Sequence, residues 1–197
     1  MVKTVRMMKA RHNPFRTERV LEIRYRLLDT CWDDLFKRLE ELGFRAAITG
    51  EHGTGKTTLL EDMEPRLVDR GFIPILLFQN DTTTALDESA YKPFFKEITS
   101  DHIILFDGAD LLTNREWIRF AKNTRKAGGL IITSHQDELL PVLTECRTTF
   151  ELLDEIVKDL LGAGSGPAKQ TLQELFITHN GNIRDVLRAL YDVYAGG

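Results

Sequence analysis

The stretch ITGEHGTGKTTLLEDM, residues 48–63, decides the fold, because three glycines fall within six residues directly after an apolar run. In a strand or helix such glycines would cost stability without packing anything. Gly50, Gly55, Lys56 and Thr57 fit the pattern G-x-x-x-x-G-K-[ST], with a predicted strand before it and a predicted helix after it. Bare backbone lets successive N–H groups curl around a phosphate, and the N-terminus of the helix adds its dipole. The stretch therefore predicts a phosphate-binding loop at residues 50–57.

Two side chains of this loop are expected to act on a nucleoside triphosphate. Lys56, on an exposed loop, should reach the β- and γ-phosphates, and Thr57 should hold Mg²⁺. The candidate nucleotide-binding residues are Gly50, Glu51, His52, Gly53, Thr54, Gly55, Lys56, Thr57 and Thr58. The alternative interpretation is an ordinary glycine-rich turn.

A second stretch, IILFDGAD at residues 103–110, supplies an acid for the metal. Its four apolar residues predict a buried strand, and Asp107 stands at the tip of that strand. Ligands bind beyond the carboxyl ends of parallel strands, so we expect Asp107 and Lys56 to converge on one rim. Alternatively, Asp107 only caps the helix that follows.

Strands and helices are predicted to alternate along the chain, which indicates a mainly parallel sheet covered on both faces. The predicted strands are RAAITG (45–50), FIPILLFQ (72–79), HIILFD (102–107), GLIITS (129–134) and RTTFELL (147–153). A short helical stretch, DELLPVLT (137–144), is predicted before the last strand. The expected organisation is a basic arm (1–28), a nucleotide-binding core (29–161), and a linker with a small helical lid (162–197).

The composition is that of a globular protein in a reducing compartment. The 197 residues are 42% hydrophobic and 28% charged, with a net charge of −4. The two cysteines lie far apart without metal-ligand spacing, which predicts two free thiols. The first residues do not resemble a signal peptide, and no apolar run approaches the length of a membrane span. A cytoplasmic protein is expected.

The residues GEHGTGKT and IILFD resemble the Walker A and Walker B motifs of the P-loop nucleoside triphosphatases. A strand-and-helix unit at 71–101 separates them, which is similar to the additional-strand (ASCE) division that includes AAA+, RecA-like and ABC ATPases. The resemblance implies an α/β three-layer sandwich, with a five-stranded sheet of order 5-1-4-3-2 and a small C-terminal helical lid. The whole chain also resembles uncharacterised bacterial ATP-binding proteins.

The same resemblance implies roles for residues beyond the two motifs. GGLIITSH looks like a sensor 1 strand, which places Thr133 or Ser134 near the γ-phosphate. HNGNIRDVLRAL resembles the sensor 2 helix of AAA+ lids, especially those of origin-binding and clamp-loader proteins, and implies Arg184 as a γ-phosphate ligand. TECRTTFELL lies where such proteins often carry an arginine finger, which implies Arg147 and a homo-oligomer. The alternatives are plain surface arginines and a plain strand-end hydroxyl.

One departure from the AAA+ pattern leaves the water-orienting group open. AAA+ proteins usually place a glutamate directly after the Walker B aspartate, but Gly108 follows here. We expect Asp110 to orient the water, with Asp81 after the second strand as the RecA-like alternative. Asp110 could instead cap the next helix. In that case Thr133, Ser134 or His135 would orient the water. His135 resembles the histidine of ABC ATPases, yet no LSGGQ-like signature occurs.

The basic arm has three open interpretations. Residues 1–26 carry eight basic and two acidic side chains, whereas the rest of the chain is acidic. The arm could be solvated, could pack across the base and ribose as in AAA+ proteins, or could bind nucleic acid, which the acidic body would oppose.

These observations predict a Mg²⁺-dependent ATPase that drives or switches an unidentified protein partner. The candidate catalytic residues are Lys56, Asp107, Asp110, Ser134, Arg147 and Arg184, and the metal ligands are Thr57 and Asp107. The alternatives are a small-molecule or nucleotide kinase and a non-hydrolysing nucleotide-dependent switch. The absence of a glutamate directly after Asp107 keeps the non-hydrolysing switch as an alternative function.

Overall fold

A five-stranded, all-parallel sheet organises the computed structural model, which describes residues 13–79, 95–135, 139–162 and 166–196. The strands are β1 (Arg45–Thr49), β2 (Ile73–Phe78), β3 (His102–Asp107), β4 (Gly129–Ser134) and β5 (Val142–Glu145). Their order in the sheet is β2-β3-β4-β1-β5, and every neighbouring pair is parallel. The predicted order 5-1-4-3-2 is therefore confirmed.

Helices cover both faces of this sheet, with α2 (Trp32–Glu41) and α3 (Lys56–Asp69) on one face and α4 (Asn114–Asn123) on the other. The other described helices are α1 (Thr17–Leu21), α5 (Phe150–Leu161), α6 (Lys169–Thr178) and α7 (Ile183–Gly196). Short 3-10 turns lie at Ala109–Leu111 and Thr124–Lys126.

Alternating strand residues build two separate cores, because successive side chains point to opposite faces of a sheet. One core joins Leu35, Leu39, Leu59 and Met63 of α2 and α3 to Ala46, Ile48, Ile103, Leu105 and Ile131. The other joins Phe120 of α4 to Ala47, Ile104, Phe106, Leu130 and Ile132. Burial on both faces explains why the central strands are continuously apolar.

The chain divides into two compact units. The sheet unit comprises Tyr25–Glu51 and Gly55–Cys146, and the helical unit comprises residues 13–24, His52–Thr54 and 147–196 among those described. The helical unit has its own apolar core, which includes Phe15, Leu153, Ile156, Leu172, Val186 and Leu190. Asn13 Nδ2 donates to the Tyr191 carbonyl at 2.9 Å, so this part of the predicted arm (1–28) packs within the helical unit.

The fifth strand lies elsewhere than predicted, and the prediction for residues 137–153 is wrong. Strand β5 is Val142–Glu145 and overlaps the end of the stretch predicted as helical (137–144), whereas the stretch predicted as the strand (147–153) contains the start of α5 at Phe150. Thr149 caps that helix by accepting from Leu152 N at 3.1 Å. The apolar residues Leu152, Ile156 and Leu160 recur at helical spacing, which favours the helix.

Asp81 and residues 1–12 of the predicted basic arm lie outside the described residues. Within the described part of the chain, no helix has both the length and the apolar character needed to cross a membrane.

Candidate nucleotide-binding site

The phosphate-binding loop connects β1 to α3 and needs glycine at its turns. Gly53 and Gly55 have φ of +75° and +91°, in the left-handed region that other residues rarely adopt. A β-carbon at Gly55 would lie 3.1 Å from Tyr25 Cε2, so this position is also closely packed. Helix α3 begins at Lys56 without a side-chain cap, and its first N–H groups therefore face the loop.

Lys56 is buried rather than exposed, which corrects the expectation that it lies on an open loop. It is the first residue of α3 and is only 9% exposed. Its Nζ donates to the carbonyls of Gly50 at 2.7 Å and Glu51 at 2.9 Å, and lies 3.1 Å from His135 Nε2. Burial lowers the pKa of Lys56, while Cys146 and the carboxylates of Asp110, Asp107 and Glu51 act in the opposite direction.

The structure brings the two predicted metal ligands into contact. Thr57 Oγ1 donates to Asp107 Oδ2 at 2.9 Å. The other carboxylate oxygen, Oδ1, accepts from Thr133 Oγ1, and Thr133 Oγ1 in turn accepts from Gly108 N at 2.9 Å. Asp107 is therefore held from two sides at the end of β3 and does not cap a helix.

This donor set fits a magnesium ion. A hydroxyl and a carboxylate are the hard oxygen ligands that Mg²⁺ prefers, and Mg²⁺ usually takes one or two protein ligands together with phosphate and water. The described residues contain no cluster of three or more His, Cys, Asp or Glu side chains that could hold a metal alone.

Asp110 lies in the 3-10 turn after β3 and is paired with His135. Its Oδ2 contacts His135 Nδ1, and the two side chains are 14% and 29% exposed. The alternative that Asp110 caps the next helix is wrong, because Thr113 caps α4. Thr113 Oγ1 accepts from Glu116 N at 3.4 Å, and Glu116 Oε2 accepts from Thr113 N at 2.8 Å, which completes a capping box.

Gly108 directly follows Asp107, where the resemblance to AAA+ proteins would place a glutamate. Its φ is +86°, and a β-carbon there would lie 2.6 Å from the Gln79 carbonyl oxygen. Real β-carbons do not approach backbone atoms so closely. No side chain fits this position without a backbone shift.

The end of β4 contributes Thr133, Ser134 and His135 in different ways. Thr133 holds Asp107, whereas Ser134 is fully buried and pairs in register with Thr49 of β1. His135, the next residue, is the side chain that reaches Lys56. His135 was missing from the predicted catalytic set, although its place at the carboxyl end of a parallel strand was the available signal.

Arg147 and Arg184 belong to the helical unit, and both are exposed. Arg184 is the second residue of α7, and Asn182 caps that helix by accepting from Asp185 N at 3.2 Å. A β-carbon at Gly53 would lie 1.9 Å from Asn182 Oδ1. The predicted roles of the two arginines stay predictions.

Tyr25 and Cys146 lie beside the loop and were not predicted as site residues. Tyr25 N donates to Asp62 Oδ2 at 2.6 Å, which fixes the segment before α2 to α3. Burial, together with the neighbouring Cys146, raises the pKa of Tyr25 above its usual range. Burial also raises the pKa of Cys146 to about 11, so this free thiol stays neutral at physiological pH.

The strand order and the loop between β1 and α3 define an AAA+-like α/β fold. A crystal structure of a DNA replication initiation factor superposes on 80% of this chain with a TM-score of 0.58 and 20% sequence identity. The chain spans 58% of the length of that protein, and a likeness at this identity shows the fold alone. No protein-family model and no curated protein matches the chain.

Proposed function

We propose that the protein binds ATP with Mg²⁺ and hydrolyses it to drive or switch an interaction with a protein partner in the cytoplasm. The observation that carries this proposal is the convergence of Lys56, Thr57 and Asp107 around one glycine-rich loop. These are the residue types that P-loop proteins use for phosphate and magnesium. Their meeting supports the Walker A and Walker B interpretation of the two motifs.

The chain's own groups account for binding in three steps. The N–H groups of residues 50–57 and the start of α3 bind the phosphates, aided by the helix dipole. Lys56 exchanges the carbonyls of Gly50 and Glu51 for the β- and γ-phosphate oxygens. Thr57 and Asp107 would hold Mg²⁺, which supplies charge neutralisation on the phosphates, and Thr133 keeps the Asp107 carboxylate in its orientation.

The non-hydrolysing switch has a specific observation in its favour. Gly108 has no room for a side chain, so the usual water-orienting glutamate is excluded from its position. A chain of this type would bind ATP and not turn it over. Release of phosphate without an added acceptor separates the proposed ATPase from this switch and from a kinase.

For the partner, the proposal favours a protein and keeps nucleic acid as the alternative. The similar solved structure is of a DNA replication initiation factor, and residues 1–26 carry eight basic side chains. A nucleic-acid partner would bind more weakly as salt rises, because phosphate contacts release counterions.

The proposal is tested by replacing Lys56. Lys56→Ala should weaken ATP binding about a hundredfold or more, since each charge-assisted hydrogen bond is worth roughly 1.5–3 kcal/mol. Because Lys56 is buried, Lys56→Met serves as a second variant that keeps the apolar stem without the charge. Isothermal calorimetry measures affinity, and thermal unfolding checks the fold.

The matched control is Lys37→Ala, an exposed lysine on α2. It should leave ATP affinity unchanged. Unchanged ATP affinity in both folded Lys56 variants would contradict the phosphate-binding role of the loop.

A further inference from the structure

We propose that His135, oriented by Asp110, accepts the proton of the attacking water, in place of the glutamate that AAA+ proteins carry at the position of Gly108. This inference rests on the proposed ATP hydrolysis and adds the residue pair that performs it. His135 is the catalytic residue of the pair, and Asp110 is a positioning residue that acts through it.

The hydrogen bonds around Lys56 determine where the His135 proton lies. A lysine ammonium has three N–H donors and no acceptor. Those donors are matched by the Gly50 carbonyl, the Glu51 carbonyl and His135 Nε2, at 2.7, 2.9 and 3.1 Å. With Lys56 charged, Nε2 is the acceptor of its third N–H and carries the lone pair.

The opposite ring nitrogen then carries the proton. Nδ1–H donates to Asp110 Oδ2, and a carboxylate acceptor at this position fixes both the tautomer and the ring orientation. A neutral imidazole held this way by an aspartate is the arrangement that serves as a general base in other hydrolases. The geometry thus leaves Nε2 as a proton acceptor on the side of Lys56.

The Nε2 atom faces the place where the γ-phosphate is expected. Lys56 binds the β- and γ-phosphates in P-loop proteins, and Nε2 lies 3.1 Å from its Nζ. When Lys56 turns to the phosphates, Nε2 loses that donor and can accept a hydrogen bond from water. The His135 side chain is 29% exposed, so water has access to it.

Competing groups are less well placed for this role. Thr133 already bonds to Asp107 and Gly108, and Ser134 is fully buried. The Asp110 oxygen Oδ2 is engaged by His135 Nδ1, which makes direct action of Asp110 on the water the weaker alternative.

The hydrolytic step balances without another reactant. The water oxygen forms a bond to the γ-phosphorus while the bond from that phosphorus to the β,γ-bridging oxygen breaks. The electron pair of the broken bond stays on ADP. The water proton moves to Nε2 and then leaves to the departing phosphate or to solvent, which restores the neutral ring.

The experiment is a double-mutant cycle on the full chain with ATP and Mg²⁺. His135→Gln, Asp110→Asn and the double variant are compared with wild type by ATP affinity and by the single-turnover rate. His135→Gln should lower the rate about a hundredfold or more, the range of a lost general base, with affinity changed less than about threefold. Asp110→Asn should also lower the single-turnover rate, without changing ATP affinity.

Non-additive losses of the hydrolysis rate at unchanged ATP affinity are the signature of a pair that acts as a unit in the chemical step, since a structural role would also change affinity or folding. The double variant should lose no more rate than His135→Gln alone, because groups that act as a unit are grossly non-additive. Asp110→Glu, which restores a carboxylate, should recover part of the rate. His102→Gln, at the opposite end of β3, is the matched control and should keep both rate and affinity.

Each other outcome overturns the inference. Wild-type rate in His135→Gln with a loss in Asp110→Asn moves the role to Asp110 itself, and multiplicative losses show two independent residues. Full rate in both single variants would mean that other groups activate the attacking water. If His135→Gln does not fold, His135→Asn takes its place in the cycle.

The inference and the proposed function fail in different ways. A wild-type chain without Lys56-dependent ATP binding or turnover overturns both. Lys56-dependent turnover that is insensitive to His135 overturns only the histidine–aspartate pair.

Discussion

At the scale of single residues, Gly108 limits which side chains could assist the proposed hydrolysis. The position combines a φ of +86° with a carbonyl oxygen 2.6 Å from any added β-carbon. Gly71 has nearly the same φ, +85°, but nothing within 4 Å of its added β-carbon. Comparing substitutions at these two glycines therefore distinguishes the cost of backbone strain, which both share, from the cost of the steric clash, which only Gly108 has.

We expect Gly108→Ala to cost more stability than Gly71→Ala. Both substitutions should lower the free energy of unfolding by roughly 1 kcal/mol, because alanine is strained in the left-handed region. Gly108→Ala should lower it by a further amount of roughly 1–3 kcal/mol, because the added β-carbon is forced against the Gln79 carbonyl. Urea unfolding measures the difference. Equal losses would show that the Gln79 carbonyl moves away freely, and a glutamate at 108 would then be sterically allowed.

The structure places the loop residues between β1 and α3, as the local sequence signal predicted, while their nucleotide-binding role stays a prediction. Gly50, Gly55, Lys56 and Thr57 fall within eight consecutive residues, so spacing alone identifies them. The pairing of Asp110 with His135 spans 25 positions and depends on how β3 and β4 end beside each other. No local pattern records that register, and His135 therefore stayed an alternative.

At the scale of secondary-structure elements, α4 has its own start signal, independent of Asp110. Thr113 and Glu116 form the capping box, and the 3-10 turn containing Asp110 precedes it. The effects of the cap and of the acid can consequently be measured apart.

Thr113→Ala should lower the free energy of unfolding by about 1 kcal/mol and leave ATP turnover unchanged, because it removes only a helix cap. Asp110→Asn should show the reverse pattern. Denaturant unfolding and single-turnover hydrolysis of both variants make the comparison. A large loss of turnover in Thr113→Ala would mean that the start of α4 positions Asp110.

Element prediction was accurate for β1 to β4 and failed at β5, one of the two edge strands. Strands β1, β3 and β4 are almost fully buried apolar runs flanked by glycine or charged residues. Strand β5 has four residues and pairs only with β1 among the described strands, so its sequence VLTE carries little pattern. The cap at Thr149 was the overlooked signal that the next segment is a helix.

At the scale of the whole molecule, the sheet order was predicted by resemblance and not from residue properties. Alternating strands and helices indicate a parallel sheet, but they do not say which strand is central. Two short motifs implied the order through the proteins that share them, and the structure confirms it. The boundaries of arm, core and lid stay predictions.

A homo-oligomer would follow if Arg147 acts on a neighbouring molecule's nucleotide. Specific ATPase activity should then rise with protein concentration, and Arg147→Ala should cut turnover severalfold while sparing ATP affinity, since its charge acts in the transition state. Arg188→Ala, an exposed arginine on α7, is the control. Activity that stays flat over a wide concentration range would identify Arg147 as a surface arginine.

The packing of Gly53 against Asn182 constrains which mutations the chain tolerates. A side chain at position 53 would have to displace the amide that caps α7, because its first carbon would lie 1.9 Å from Asn182 Oδ1. Libraries that randomise residue 53 alone should therefore be dominated by glycine, because φ is +75° there and a side chain would also displace the Asn182 cap. Libraries that randomise 53 and 182 together should return paired solutions, in which a shorter side chain at 182 accompanies any larger residue at 53.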